Sequence, residues 1–185
     1  MKRIGILFIL LLMLTGCSET QNRIDRAVEL RSRLLRSSCS FTAEVTADYG
    51  DKVYKFTIAC SGDAQGNLTF EVAEPESIAG ITGTITGEGG FLTFDDAALQ
   101  FDLLADDQVT PVSAPWILLK TLRGGYLTAA GDDGDLLRVT IDDSYEDDAL
   151  QLDIWLDGEN NPVRADILYD GRRILSLNVS DFQIL

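Results

Sequence analysis

From Cys39 to its C-terminus this chain alternates apolar and polar residues with a period of two, after a stretch that repeats every three to four residues, and that switch leaves few folds open. Ile24, Ala27, Val28, Arg31, Leu34 and Leu35 predict one helix from about Thr20 to Arg36, with basic residues mostly between them. Its apolar stripe either packs on the sheet that follows or lies on a membrane; the first reading is favoured because the sheet needs a cover. Residues 39–48 and 51–60 read as a hairpin turning at Tyr49-Gly50, which sets Cys39 opposite Cys60, Phe41 opposite Ile58, Ala43 opposite Phe56 and Val45 opposite Tyr54. A disulfide between Cys39 and Cys60 follows from that pairing; the alternative is two buried reduced thiols.

Further strands are predicted where Leu68, Phe70 and Val72 alternate with polar residues, at Thr82 to Thr86, Phe91 to Phe94 and Leu99 to Leu104. Others run over Tyr126 to Ala129, Leu136 to Ile141, Leu150 to Leu156, Pro162 to Tyr169 and Arg173 to Phe182, with Asp170-Gly171 as a hairpin turn. Within Leu150–Leu156, Leu150, Leu152, Ile154 and Leu156 share one side and Gln151, Asp153 and Trp155 the other, which makes Trp155 a candidate outward anchor for a partner. Only Thr110 to Leu122 breaks the pattern. Pro115 suits the first turn of a helix, Trp116 to Leu122 are apolar nearly all round, and Arg123-Gly124-Gly125 ends the helix, so this piece is expected to plug the concave side of the sheet. The fold class is therefore α+β with a meandering antiparallel sheet.

The N-terminus says where such a domain would sit. Lys2 and Arg3 precede an apolar run from Ile4 to Leu14, and Leu14-Thr15-Gly16-Cys17 closes it. This is a secretory signal over residues 1–16. It resembles the lipobox of bacterial lipoproteins, which implies cleavage before Cys17, diacylglycerol on its thiol (with palmitate among the added chains) and an extracytoplasmic protein anchored to a bacterial membrane. More than one acyl chain meets the requirement for stable anchoring. The alternative is an ordinary Cys17 beside an unprocessed apolar segment. Residues 17–22 then form a lipidated tether and residues 23–185 a single domain.

Composition removes several functions. The net charge is −15, and loss of the signal, which holds two cations and no acid, makes it more negative, so nucleic acid is rejected as a partner. With no histidine, a serine–histidine–acid triad cannot be built and the commonest metal ligand is missing; no enzyme, metal or cofactor is expected. The acids Asp95-Asp96, Asp106-Asp107, Asp132-Asp133-Gly134-Asp135 and Asp142 to Asp148 are expected in solvated turns, weak cation binding being the alternative for Asp132, Asp133 and Asp135.

Phe70-Glu71-Val72-Ala73-Glu74-Pro75, Ile78-Ala79-Gly80-Ile81-Thr82-Gly83, Pro162-Val163-Arg164-Ala165 and Leu177-Asn178-Val179-Ser180-Asp181-Phe182 carry a wider resemblance. With one helix, about ten strands and a central plug, the mature chain resembles LolA-like lipoprotein carriers, including LppX-like proteins and clostridial germination lipoproteins. The resemblance implies a curved antiparallel sheet, an incomplete barrel covered by an N-terminal and a short central helix, around an apolar cavity for a lipid-like ligand. Phe70, Val72, Phe94, Leu103, Trp116, Leu119, Leu152, Ile154 and Ile167 are its candidate lining, with core packing as the alternative role of each. The second functional reading is a filled-core module that docks an envelope protein. No arginine here matches the lid-holding arginine of LolA by motif.

Overall fold

The computed structural model describes residues 16–50, 52–94, 97–101, 104–105, 108–146 and 149–185, with the backbone alone for residues 16–19, 104, 105 and 108. Most of the expected signal, Leu103 and the acids at 95–96, 106–107 and 147–148 lie outside the described residues. Helix α1 is Gly16–Leu34. Its buried stripe is Ala27, Leu30 and Leu34, whereas Val28 and Leu35, expected in the stripe, are half exposed. Residues at i, i+3 and i+7 stay on one side of a 3.6-residue helix, and a neighbour one position on is turned by about 100°.

Among the described residues thirteen strands follow: β1 (Cys39–Asp48), β2 (Val53–Gly62), β3 (Leu68–Glu74), β4 (Thr82–Thr86), β5 (Gly89–Phe94), β6 (Ala97–Phe101), β7 (Leu104–Ala105), β8 (Gln108–Val109), β9 (Tyr126–Asp133), β10 (Leu136–Asp142), β11 (Gln151–Leu156), β12 (Pro162–Tyr169) and β13 (Arg172–Ile184). Eleven form one open antiparallel sheet in the order β6-β5-β4-β3-β2-β1-β13-β12-β11-β10-β9; β7 and β8 pair separately. The chain meanders outward from β1 on one side and returns from the far edge to β13, so β1 and β13 meet in the middle. The expected α+β architecture, an incomplete barrel with two helices, is what forms.

The first hairpin corrects the expected register. Cys39 pairs with Gly62 and Phe41 with Cys60, while Ala43, Val45 and Ala47 meet Ile58, Phe56 and Tyr54. Gly50 has φ +87° and donates its N–H to the Asp48 carboxylate at 2.8 Å, and Tyr49 N–H donates to Lys52 O at 3.0 Å, so the turn sits one residue later than Tyr49-Gly50. A turn moved by one residue moves every cross-strand partner by two. Because the strand period is also two, each side chain keeps its face and changes its partner. Cys39 and Cys60 are buried free thiols on one face, diagonal rather than opposite.

Helix α2 (Ala114–Gly124) follows a short 3-10 turn at Pro111–Ser113, with proline in its first turn as expected. All its residues from Ala114 to Leu122 except Lys120 are buried. The plug is held by polar ties as well as by packing. Trp116 Nε1 donates to Gly66 O at 2.9 Å, and the Arg123 guanidinium donates to Asp63 O at 2.7 Å and to Ala64 O. From α1, Arg31 donates to Leu122 O and Gly125 O at 2.8 and 2.7 Å, and Arg26 to Asn160 Oδ1 and Asp157 O at 2.6 and 2.8 Å. These carbonyls belong to helix ends and loops, whose acceptors need partners outside the regular ladders. Among the described residues no helix is long and apolar enough to cross a membrane.

Candidate ligand-binding face

Seven of the nine candidate lining residues enter one continuous core: Phe70, Val72, Trp116, Leu119, Leu152, Ile154 and Ile167 are all buried. They pack with Leu118, Leu137 and Ile58, so the middle of the sheet is filled by side chains and by α2. Phe94 stands apart from them, at 45% exposure on β5, and Leu103 lies outside the described residues.

Phe94 belongs to a wing that no described helix covers. Register places Phe70, Gly83, Leu92 and Leu99 in one row across β3 to β6, and Leu68, Ile85, Gly90 and Phe101 in the next. Leu68, Phe70 and Ile85 are in the core, so Leu92, Phe94, Leu99 and Phe101 extend the core's own face outward. Burial fades along it: Ile85 is sealed, Leu92 and Phe101 are half-buried, and Leu99 is 62% exposed. At Gly90 a Cβ would stand 2.1 Å from the Phe101 ring, so a bare backbone is what lets that ring lie flat on β5. The strand residues of β4, β5 and β6 include no charged side chain, although 24% of the chain is charged. Edge strands ordinarily carry charges that discourage pairing.

The convex face holds a polar cluster that corrects two expectations. Trp155 does point away from the core, but it is buried: Arg138 lies 5.5 Å and Arg164 4.3 Å from its ring centroid, on opposite neighbouring strands. Trp155 Nε1 donates to Asp133 Oδ2 at 2.7 Å. On the inner face, opposite the buried Leu137, Asp132 near the end of β9 accepts from Arg23 of α1 at 2.6 Å. Both acids lie in a strand and carry structural bonds, so they are not turn residues as expected, although both remain exposed to solvent; only Gly134 and Asp135 form the turn. Hydrogen bonding from Arg23 keeps the Asp132 carboxyl below its ordinary value. In the Asp142–Asp148 stretch, Asp143 is likewise engaged, accepting from Leu150 N at 2.8 Å and from Lys120 Nζ at 3.3 Å.

Burial raises the Cys39 thiol, against a backbone bond from Gly62 and the charge of Arg123; burial raises Cys60 much further, with Cys39 adding to it. Neither is a poised nucleophile. Among the described residues no group of three or more acids and cysteines is arranged to hold a metal ion. The signal that marked the wing was present in the sequence as a nearly uncharged stretch from Thr82 to Phe94, broken only by Glu88 in a turn, yet which face it exposed depended on the register. Arg138 and Arg164 gave no such signal, since only strand pairing brings them to Trp155.

No family model and no curated protein matches the chain. Solved structures do. An uncharacterized conserved protein from Thermus thermophilus is similar at 14% identity and a TM-score of 0.48, over 91% of this chain and 88% of that one. An outer membrane lipoprotein-sorting protein domain from Vibrio parahaemolyticus is similar at 9% identity and 0.45, over 89% and 93%. A LolA superfamily protein from Nitrosomonas europaea is similar at 11% identity and 0.42, over 86% and 93%. LolA-like folds, which the sequence resemblance implied, are thus among the matched structures, and the likeness concerns the course of the chain alone.

Proposed function

We propose that this is an extracytoplasmic lipoprotein, tethered by diacylglycerol on Cys17, that binds a lipid or other hydrophobic ligand without catalysis. The contact surface in this reading is the apolar face of the β4–β6 wing rather than the filled interior. One observation carries it: Phe94 and Leu99 are 45% and 62% exposed on the same face as the sealed Leu68 and Ile85. Exposed apolar surface continuous with a core favours an apolar occupant, at roughly 25 cal/mol per Å² covered. The second reading, a filled-core module for an envelope protein, is favoured by the packing of Trp116, Leu119, Leu152 and Ile154 into that core.

The test is native mass spectrometry of protein released gently from membranes, with Phe94→Asp and Leu99→Asp beside the wild type. Retained lipid in the wild type and its loss in both variants is the expected result. Lipid-free wild-type protein, or equal lipid in all three, defeats the ligand reading.

A further inference from the structure

We infer that the outer face of the β4–β6 wing, with the neighbouring β3, binds a neutral oligosaccharide chain, and that Phe91 is the ring on which a sugar stacks. The registers set two outward rows side by side: Thr69, Thr84, Phe91 and Gln100 in one, Glu71, Thr82, Thr93 and Ala98 in the other. Neighbours within a row lie about 4.8 Å apart and the two rows about 7 Å apart. Residues of both rows line a recess of about 500 Å³, on the side of the sheet away from the sealed Leu68 and Ile85.

Phe91 is 51% exposed, and its described neighbours on this face are hydroxyls, the Gln100 amide and the small Ala98, with no second large apolar side chain beside it. Thr69 donates to Ser61 O at 3.3 Å. Among the described residues the Thr82, Thr84 and Thr93 hydroxyls and the Glu71 carboxylate make no hydrogen bond or ion pair within the chain, so their capacity is turned to solvent. Each hydroxyl both donates and accepts, whereas the carboxylate accepts through two oxygens. Threonine is stiff at its first side-chain torsion, so these groups lose little freedom when a ligand orders them.

Charge and the mix of side chains select the occupant. Between Lys55 and Lys120 the sequence has ten acids and no lysine or arginine, so a phosphate, a uronate or an acidic peptide meets only like charge on this arm. A protein interface gathers several large apolar residues and arginines at its centre, and here one ring stands among hydroxyls. A pyranose has the matching arrangement. The C–H bonds of its face lie against the negative face of Phe91, and the hydroxyls at its rim replace the water now held by the threonines and Glu71. The rows cross four strands, so the recess suits a chain of several sugars rather than one. This inference uses the opposite face from the apolar contact surface proposed above and stands without it.

Isothermal titration of the mature chain with two neutral probes, chitohexaose and cellohexaose, tests it, with hexagalacturonate as the anionic comparison. Binding of at least one neutral chain is expected, with hexagalacturonate at least tenfold weaker. Phe91→Ala should weaken the neutral chain at least tenfold and Thr82→Val/Thr84→Val severalfold, while Phe91→Tyr, which keeps the ring, and Leu99→Asp, on the opposite face, should bind as the wild type does. Circular dichroism checks that each variant folds, and the threonine variant, which keeps side-chain shape, decides the matter if Phe91→Ala does not fold. No binding of either neutral chain at millimolar concentration, equal binding of hexagalacturonate, unchanged binding in both the Phe91→Ala and the threonine variants, or a loss in Leu99→Asp as large as in Phe91→Ala would each overturn it.

Discussion

The two arms of the sheet are built from similar strands and end in opposite conditions. On the β9–β13 side, Leu137, Ile141, Leu152, Ile154 and Ile167 are sealed on the inner face, and arginines and aspartates cover Trp155 on the outer. On the β4–β6 side, Ile85 is sealed but Leu99 and Phe94 are open, and no charged residue stands in the strands. The difference is one of cover, since α2 packs against α1 and, among the strands, chiefly against β2, β10 and β13 rather than β4–β6. Hydrophobicity along a strand says that a face seeks a partner; the position of one eleven-residue helix decides which strands find theirs inside the chain.

That contrast predicts the largest mutational effect. Leu118→Ala, in the middle of the plug and fully buried, should cost about 2–5 kcal/mol by leaving a cavity, whereas Leu99→Ala should fall within about 0.5 kcal/mol. Urea denaturation of both variants measures it, and equal losses would erase the distinction between the arms. Thiol protection sharpens the same comparison from beside the plug. Cys39 and Cys60, reduced and raised by burial, should resist iodoacetamide at pH 8 in the native protein and react together in urea. Resistance that persists in urea and ends with reductant would mean that they are joined by a disulfide.

The smallest effect concerns acid. Asp132 and Glu44 are held below their ordinary values, Asp132 by its bond from Arg23 and Glu44 by bonds from Lys55 and Asn178. A carboxylate lowered in the folded state adds stability above its unfolded value, near 4, and loses that share as pH falls through the lowered one. Thermal melts between pH 7 and 3 should show this decline. Arg23→Ala should flatten the part that comes from fastening α1 to the β9 end, while leaving the wing's solvent exposure unchanged.

Much of this was legible from residue order. The α2 plug was readable because Pro115, the run Trp116–Leu122 and Gly124-Gly125 are local signals, and nearly every strand was readable from its alternation. The hairpin shows where legibility stops. Alternation assigned Cys39, Phe41, Ala43, Cys60 and Ile58 to one face, yet it is indifferent to a slip of two, and the Asp48–Gly50 bond chose the partner. Trp155 was placed on the outer side correctly and judged exposed wrongly, because its covers come from Arg138, 17 positions before it, and Arg164, nine after. The nine proposed lining residues were chosen for apolarity, which a core and a ligand face share.

By itself the sequence determined the period of most segments, the two helices with the second as a plug, and which residues share a face in the first hairpin and in Leu150–Leu156, because all of these follow from backbone geometry over a few neighbouring residues. Only the tertiary structure decided which partners meet across the sheet, that Asp132, Asp133 and Trp155 are bound rather than free, and that the wing stays open while the middle is filled. Those outcomes depend on residues far apart in the chain being brought within a few ångströms, where burial and hydrogen bonding act, and a one-residue shift in a turn is enough to change them.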